Sequence, residues 1–578
     1  MHKVISFWSF MLVCLFAQAQ TYTIHVLEGE KSTYSAASDS FSAINALQEQ
    51  VIALRNTGYL AASTDSLWAH NDTLHALILK DILYEFIHIR SHNITSGYLP
   101  LAHTTLTRSA FLKLQNEILT TYEQSGYPFA TVYVLEPKIA QDTLTCVLLF
   151  DPYLKFTYDT LAYTTNCSIS KAYLSKYLGM EEGKIYNELE AREIDKKLRN
   201  FPLIKLNSPS RIVFYEGLAR LILNISDVVT DRVDGIVGLA PNSNNSDQNK
   251  LLITGEVNVE LNNLFKSGKQ IALHWRNYLQ NSQKLDVNFT YPYLFNTKLG
   301  INGEFSLNKF DTVFVNLKSK LSFRYQQKGN NYLQFYYQNI NSNLLSVDTN
   351  LVRTLKRIPN NNPFKIDNYG IAAFQQDFDY LPNPRKGYTI YADIAVGQKT
   401  LLRNTPINQV KYINTENGQL ISIYDTINNR SVRLDFKIHS TLYIPIKKRS
   451  TFLQKIQFDA LFAKDILFNE LYNIGGFSTL RGFDENEIFA SKLLSYTAEY
   501  RYLIGENSNV GLFINAAAIE NVSESSVLIK DIPFGFGALA NIQVGKGILN
   551  LAYALGSQQG NALKLNSAKF HFGVVNYF

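Results

Sequence analysis

Arg481 is the residue of this sequence whose setting most suggests chemistry. It stands in a segment rich in glycine and aromatic residues, whose distinctive members are Gly475, Gly476, Leu480, Arg481, Gly482 and Phe483. A guanidinium stays charged and offers a rigid fork of donors to a carboxylate. We expect this segment, which lies among strands, to fold into the protein.

Catalytic chemistry has no comparable candidate in the sequence. A hydrolase would need a serine, a histidine and an acid in one motif, and His274, His439 and His571 have no such neighbours. Their expected role is structural or interfacial. The sequence also lacks a phosphate-binding loop, so the prediction is a protein that is not an enzyme and needs no cofactor or metal.

The Arg481 segment lies within a long all-β region, residues 231–578. Helical periodicity disappears there, and alternating strands follow one another, among them Leu252–Leu261, Gln270–Arg276, Lys284–Phe289 and Phe314–Tyr325. The predicted connections alternate strictly between short turns and long polar loops, and about 16 strands fit into roughly 350 residues. This pattern predicts an antiparallel transmembrane barrel, since a membrane leaves no open strand edge. A soluble β-sandwich is the alternative.

An internal repeat precedes the barrel, with a period of roughly 70 residues. The predicted helix Leu47–Tyr59 resembles Leu114–Tyr127, and a diverged third copy falls at Glu188–Phe201. Strands are predicted around each helix, including opening strands at Leu83–Ile89 and Tyr153–Tyr158. The predicted α+β modules are residues 20–80, 81–152 and 153–230.

The first residues predict export from the cytoplasm. Lys3, an apolar run and Ala17-Gln18-Ala19 form a signal peptide over residues 1–19, too short for a membrane helix. Aromatic residues make up 13% of the chain, as suits barrel girdles, and the net charge of +6 shows no block typical of nucleic-acid binding. Cys146 and Cys167 either pair or remain separate thiols.

These features together resemble the outer-membrane assembly and translocation superfamily of BamA and TamA, and the repeats resemble its periplasmic POTRA modules. The resemblance implies that the loop folds into the barrel lumen and that Arg481 meets acidic groups on the following strands. Glu499 falls where the family places one acid. Asn515 stands at the second acidic position, where it supplies a neutral acceptor instead of a charge.

The resemblance also implies a weak seam between the first and last barrel strands. Gly235 and Gly238 weaken the first strand, because glycine contributes no side chain to packing. The last strand resembles an outer-membrane sorting signal, carried by Phe570, Phe572, Val574 and Phe578. A strand edge that opens at low cost is a template for the strand of another chain.

The implied function is an outer-membrane assembly factor with its modules in the periplasm of a Gram-negative-type bacterium. It would receive unfolded barrel clients or translocated proteins and insert them at the seam. The expected partners are these clients, outer-membrane lipid, and accessory lipoproteins or an inner-membrane protein, but no nucleic acid. A two-partner secretion pore and a passive channel are the alternatives.

Overall fold

The structure is a computed structural model. It describes residues 22–28, 31–37, 40–57, 59, 62–70, 73–80, 85–94, 102–165, 167–228, 230–241, 251–279, 281–413, 418–484, 486–523, 529–545, 547–561, 563 and 568–575. The predicted signal peptide, residues 1–19, lies outside them. Two compact units are present, one of residues 1–157 with 185–189 and the other of residues 158–184 with 190–578. Among the described helices, none is long and apolar enough to cross a membrane.

Two modules of the same topology form the first unit. The first contains β1 (Tyr22–Glu28), β2 (Lys31–Ala37), the helix Ser40–Asn56, β3 (Ser63–His70) and β4 (Thr73–Leu79), in the sheet order β2-β1-β4-β3. The second contains β5 (Phe86–His92), β6 (Thr104–Thr107), the helix Arg108–Glu123, β7 (Thr131–Ala140) and β8 (Thr143–Asp151), in the order β6-β5-β8-β7. The inner strands run parallel in both sheets, as a connection through a helix requires.

Helical spacing places the core of the second module. Phe111 of the helix is buried with Ile87 and Ile89 of the sheet. Ile118, two turns further along the helix, is buried with Ile94 and Phe150. Thr107 caps the helix by accepting from the Ala110 amide at 3.4 Å. The strands β2 and β6 are additions to the predicted order, and β6 is too short for its alternation to be recognised.

The third module begins differently from the prediction. The strands β9 (Thr157–Tyr158) and β10 (Ala162–Tyr163) replace the predicted Tyr153–Tyr158, where Tyr153 has a φ of 56°, outside the range of regular strands. Helices follow at Lys171–Leu178, Glu188–Arg192 and Ile194–Arg199, and then β11 (Ile204–Tyr215) and β12 (Leu218–Asp227). The single helix predicted at Glu188–Phe201 is wrong, because the chain divides it at Glu193.

One antiparallel sheet forms the rest of the chain. Its strands are β13 (Arg232–Pro241), β14 (Leu251–Leu264), β15 (Lys269–Leu279), β16 (Ser282–Tyr291), β17 (Leu299–Phe310), β18 (Phe314–Gln326), β19 (Tyr332–Leu344), β20 (Phe364–Phe378), β21 (Gly387–Leu401), β24 (Arg430–Lys447), β25 (Ser450–Ala463), β28 (Lys492–Gly505), β29 (Ser508–Asn521), β30 (Ile529–Asp531), β31 (Phe534–Val544), β32 (Gly547–Ser557) and β33 (Lys569–Val575). Four short strands lie in the loops, β22 (Lys411–Ile413), β23 (Leu420–Ser422), β26 (Tyr472–Ile474) and β27 (Ile488–Ala490).

The 17 strands of this sheet occupy 16 positions, as predicted. Both β30 and β31 pair with β29, at different parts of its length, and Pro533 lies between them. Proline has no amide hydrogen for a ladder bond, so it splits one strand position into two. The predicted fold class, α+β modules followed by an all-β 16-stranded barrel, is confirmed.

The inside of the barrel holds the loop between β25 and β28, residues 464–491, called the lumen loop below. Gly475 and Ser478 of this loop line a cavity together with residues of β14, β15 and β16. The same loop contacts β28, β29 and β33 through side-chain bonds described below. One sheet therefore curves around the loop from both sides.

Side chains alternate along the barrel strands as their pleat requires. On β29, Phe513 and Asn515 are buried toward the loop, whereas Leu512 and Ile514 are exposed by 65% and 54%.

The connections between strands do not alternate strictly between short and long, so that prediction is wrong. Phe310 and Phe314 are joined by three residues on the side of the barrel where the lumen loop lies. Helices at Thr349–Leu355 and Thr405–Gln409, and 3-10 turns at Leu294–Asn296, Ile423–Asp425 and Phe468–Glu470, order the longer connections.

Candidate functional site: the lumen loop

The lumen loop is a folded element with its own core. Its two arms, β26 and β27, pair with each other. Ile474, Leu480 and Phe483 are buried in one cluster with Leu493 of the barrel wall. Thr479 closes the tip, since its hydroxyl accepts from the Gly475 amide at 2.8 Å and donates to the Gly475 carbonyl at 2.7 Å. The tip is therefore held in one shape before any charge is considered.

Arg481 projects from this tip to the wall. Its Nη1 lies 2.9 Å from Oε2 of Glu499 on β28, and its Nε donates to the Phe477 carbonyl at 3.1 Å. The guanidinium also lies over the Phe513 ring, 4.5 Å from its centre. Glu499 is 1% exposed and receives Arg501 on its other oxygen. The carboxylate is thus shared by two guanidinium groups in a site shielded from water.

Asn515 holds the main chain of the tip rather than the guanidinium. With its amide oriented to suit its neighbours, Oδ1 accepts from the Arg481 amide at 2.7 Å and Nδ2 donates to the Gly535 carbonyl at 2.7 Å. An aspartate has no group that could donate to that carbonyl. The neutral side chain at this position therefore suits the contact that it makes.

Glycines allow the tip to lie directly on the wall. A Cβ added to Gly482 would stand 2.8 Å from the Gly556 nitrogen on β32, and Gly482 also has a φ of 99°. A Cβ added to Gly535 on β31 would collide with the Arg481 carbonyl oxygen. Gly475 and Gly476 both have positive φ as well. Glycine is required at these positions because other residues would separate the loop from the wall.

The tip also reaches the last strand of the barrel. Lys569 of β33 donates to both oxygens of Asp484 at 2.7 and 2.8 Å, and the Gly482 amide donates to His571 Nε2 at 3.4 Å. The His571 ring packs against Phe477 at a centroid distance of 6.3 Å. Sequence reasoning missed Asp484, Lys569 and His571 as a set, because nothing in their spacing predicts their approach.

A second anchor holds the base of the lumen loop. Glu470 accepts from Arg433 Nη1 at 2.8 Å and pairs with Lys399, while Arg433 also pairs with Asp435 at 2.9 Å. The Glu470 and Lys399 side chains are 0% and 1% exposed. Sequence reasoning missed this cluster too. The spacing of Arg433 and Asp435, two residues apart on a lumen-facing strand, was the available signal.

The lumen loop thus has one anchor on β21 and β24 and a second on β28, β29 and β33. A comparison with known protein families identifies the family that has this architecture. The Omp85 superfamily domain matches residues 263–578, more than half of the chain. The chain belongs to the Omp85 superfamily. Members of this superfamily are outer-membrane proteins of Gram-negative bacteria that act in protein insertion or translocation.

Several solved structures are similar to this chain. CdiB from Escherichia coli is 12% identical with a TM-score of 0.53, over 92% of this chain and 97% of that chain. CdiB from Acinetobacter baumannii is 10% identical with a TM-score of 0.49, over 92% and 95%. BamA from Haemophilus ducreyi lacking POTRA domains 1-3 is 12% identical with a TM-score of 0.41, over 84% and 98%. Among curated proteins, none matches this chain.

The seam residues of this Omp85 barrel are described only in part. Gly235 and Gly238 lie in β13 opposite Val257 and Thr254. Phe570 of β33 is 66% exposed. The side chains of Phe572 and Val574, and the whole of Phe578, lie outside the described part of the chain.

The third module of this Omp85 protein docks on the short turns of the barrel. Asn200 donates to the Phe378 carbonyl at 2.7 Å and accepts from the Leu381 amide at 2.8 Å. The Tyr173 ring packs on Tyr293, with centroids 5.3 Å apart. Glu190 pairs with Lys184 at 2.8 Å and with Lys328 of a barrel turn.

Burial opposes the charge of Glu190, but hydrogen bonds and attraction from Lys184 and Lys328 outweigh it and lower its pKa. The docked interface is thus built for an ionised carboxylate.

The two cysteines of the modules, Cys146 and Cys167, are separate free thiols. Burial raises the pKa of Cys146, and burial chiefly raises that of Cys167 to about 11, so both are unreactive at neutral pH. Within the described ranges, no group of His, Cys, Asp and Glu could hold a metal ion.

Proposed function

We propose that this Omp85 protein is an assembly factor that receives unfolded barrel or translocated clients in the periplasm and inserts them into the outer membrane. Client strands would pair with the edge of the barrel at the seam between β13 and β33. The observation that carries the proposal is the lumen loop, which is fastened both to the inner wall at Glu499 and to the last strand at Lys569.

The last strand has the properties of a replaceable edge. Its described part, Lys569–Val575, pairs with β32. Lys569 and His571 hold it to the loop tip through contacts of their side chains. A strand at the edge of a sheet is a template for pairing with another chain, so a client strand would take its place when these contacts are released.

The occupied lumen favours assembly over passive diffusion. The lumen loop crosses it, and the neighbouring long loops fold together around Val352, Ile407 and Tyr424. Asn469 of the lumen loop donates to the Asn362 carbonyl at 3.1 Å, which joins these loops to one another. A passive channel needs an open pore and none of these contacts.

Client reception would use the outer strands of the modules. The predicted segments Thr131–Leu135 and Ser210–Tyr215 belong to β7 and β11, and each of these strands stands at the end of its sheet. Unpaired backbone groups on such strands can bind extended chains of many sequences. Broad client specificity would follow from this mode of binding.

The test is controlled depletion of the protein in the bacterium that encodes it. Outer-membrane proteins are then quantified by mass spectrometry, and folded barrels are scored by their heat-shifted migration on gels. We expect a general fall in folded barrels and an accumulation of unfolded clients in the periplasm. A complementing copy with Lys569→Gln, which releases the loop tip from β33 while the barrel stays folded, serves as the comparison.

Two results would contradict a general assembly role. If only one or a few proteins are lost, the chain is a dedicated factor or a secretion pore. If folded barrels are unchanged while uptake of small solutes falls, it is a channel. The depleted strain must carry a second, unrelated barrel protein on a plasmid, so that a change in its folding is separated from a change in gene expression.

A further inference from the structure

A polar cavity of about 430 Å³ lies in the lumen beside the base of the lumen loop. Its wall is formed by strands β16 to β21 and β24, and its remaining side by residues 469–473 of the loop. The cavity is separate from the Arg481 contact with Glu499. Its lining contains both acids and bases, so the question is which charges are already neutralised.

All four acids that line the cavity already have partners. Asp393 accepts from the hydroxyls of Tyr336 and Tyr391, each at 2.5 Å. Glu304 lies 3.7 Å from Lys320, and the other two acids are the partners of Arg433 described above. The four carboxylates of the cavity are therefore already paired with other side chains of the protein.

Two lysines of the cavity lack a salt-bridge partner among the described residues, although Lys437 lies over the Tyr472 ring, 5.3 Å from its centre. Lys318 of β18 and Lys437 of β24 line the cavity, and neither has a carboxylate within 4.0 Å among the described residues. Lys437 and Lys320 repel Lys318 more strongly than Glu304 and Asp435 attract it. Lys284, by contrast, also lines the cavity but lies 3.3 Å from Asp286. Like charges that line one cavity repel each other, and an anion bound between them removes this repulsion.

A neutral donor completes the surroundings. Gln338 of β19 lies directly across the sheet from Lys320, and its side chain is 8% exposed in the cavity wall. Its amide makes no hydrogen bond within the part of the chain that the structure describes. We propose that this cavity binds a phosphate-bearing anion, with Lys318 and Lys437 as the charged ligands and Gln338 as a further donor. Lysine ammonium groups serve phosphate as compact point charges.

The experiment uses the full-length protein, purified in detergent and exchanged into phosphate-free buffer. Binding of pyrophosphate and of sn-glycerol 3-phosphate is measured by calorimetry at constant ionic strength. Pyrophosphate represents a free phosphate compound, and glycerol phosphate represents a lipid headgroup. Binding of either supports the site and identifies the source, and binding of both shows that the phosphate group alone is recognised.

The variant Lys318→Gln/Lys437→Gln should weaken binding at least about tenfold, since both charged ligands of the anion are lost. Lys284→Gln is the matched control, because this lysine lines the same cavity but has an acid partner, and it should change the affinity by less than about threefold. Should the double variant fail to fold, the wild-type protein decides, since pyrophosphate should raise its unfolding temperature more than sodium chloride of equal ionic strength does. Absence of binding at about 10 mM, or equal weakening in both variants, would overturn the proposal.

Discussion

Lys569 on the last barrel strand donates to both carboxylate oxygens of Asp484 at the tip of the lumen loop, at 2.7 and 2.8 Å. Asp484 follows Arg481 by three residues, and Arg481 is fixed to Glu499 on β28. The loop tip therefore connects β33, the last strand of the barrel sheet, to β28, a strand within that sheet. Displacement of β33 would pull directly on the loop tip, and release of the tip would loosen β33.

Lys569→Gln is expected to loosen the seam without unfolding the barrel. The Lys569 and Asp484 side chains are 36% and 69% exposed, and exposed ion pairs contribute only about 0–1 kcal/mol. Hydrogen exchange should become faster in β32 and β33, while the temperature of the heat shift stays nearly unchanged. Lys365→Gln, which removes an exposed pair with Asp367, is the control. Unchanged exchange at β33 would show that the contact does not hold the seam.

Charge reversal tests the inner contact. Arg481→Glu and Glu499→Arg should each deplete folded barrel strongly, because a buried charge that loses its partner costs about 3–5 kcal/mol. The double variant should recover part of the folded protein. Recovery should be incomplete because the new arginine at position 499 would lie beside Arg501. Gel migration with and without heating measures each form, and a double variant no better than the singles would refute the pairing.

Backbone contact at the tip can be tested with two glycines. Gly535→Ala should displace the lumen loop, because its Cβ would collide with the Arg481 carbonyl, and such overpacking costs about 1–3 kcal/mol. Gly303→Ala is the matched control on β17, where a Cβ meets nothing within 4 Å. Limited proteolysis reports loop release. Equal protease sensitivity of the two variants would mean that the tip does not rest on β31.

The sequence predicted those parts of the protein that depend on local patterns. Alternation along strands such as β29 identified the barrel, and the Arg481 segment identified the loop tip. The partner strands, β28 and β29, came from the family resemblance rather than from spacing. Proximity of Asn515 to the tip was predicted, but its contact with the main chain was not, since a hydrogen-bond partner depends on side-chain orientation.

Contacts between distant segments could not be predicted in the same way. Glu470 meets Lys399 and Arg433 only after the loop turns into the lumen, and no periodicity records that turn. The third module shows a different limit. Its helix Glu188–Arg192 ends at a break that helical spacing alone does not mark.

Glu470→Gln should be among the most damaging lumen substitutions. It would leave Lys399 without its carboxylate in a site where that side chain is 1% exposed, at a cost of about 3–5 kcal/mol. Folded barrel yield should fall at least as much as for Arg481→Glu. Glu304→Gln is the control, since its partner Lys320 lies 3.7 Å away in the cavity wall. Equal yields for the two variants would show that the Glu470 contacts do not anchor the lumen loop.

Docking of the third module should depend on pH through Glu190. Its pKa is lowered by Lys184 and Lys328 against the effect of burial, so the carboxylate contributes stability above its usual value of 4.5 and loses it as pH falls through the lowered pKa. The Gly329 amide, which donates to the Tyr177 carbonyl at 3.0 Å, reports docking by hydrogen exchange. Its protection, corrected for intrinsic rates, should be full at pH 7 and fall below pH 4.5. Glu190→Gln should reduce protection at pH 7 and flatten the profile, and an unchanged profile in that variant would assign the dependence to another group.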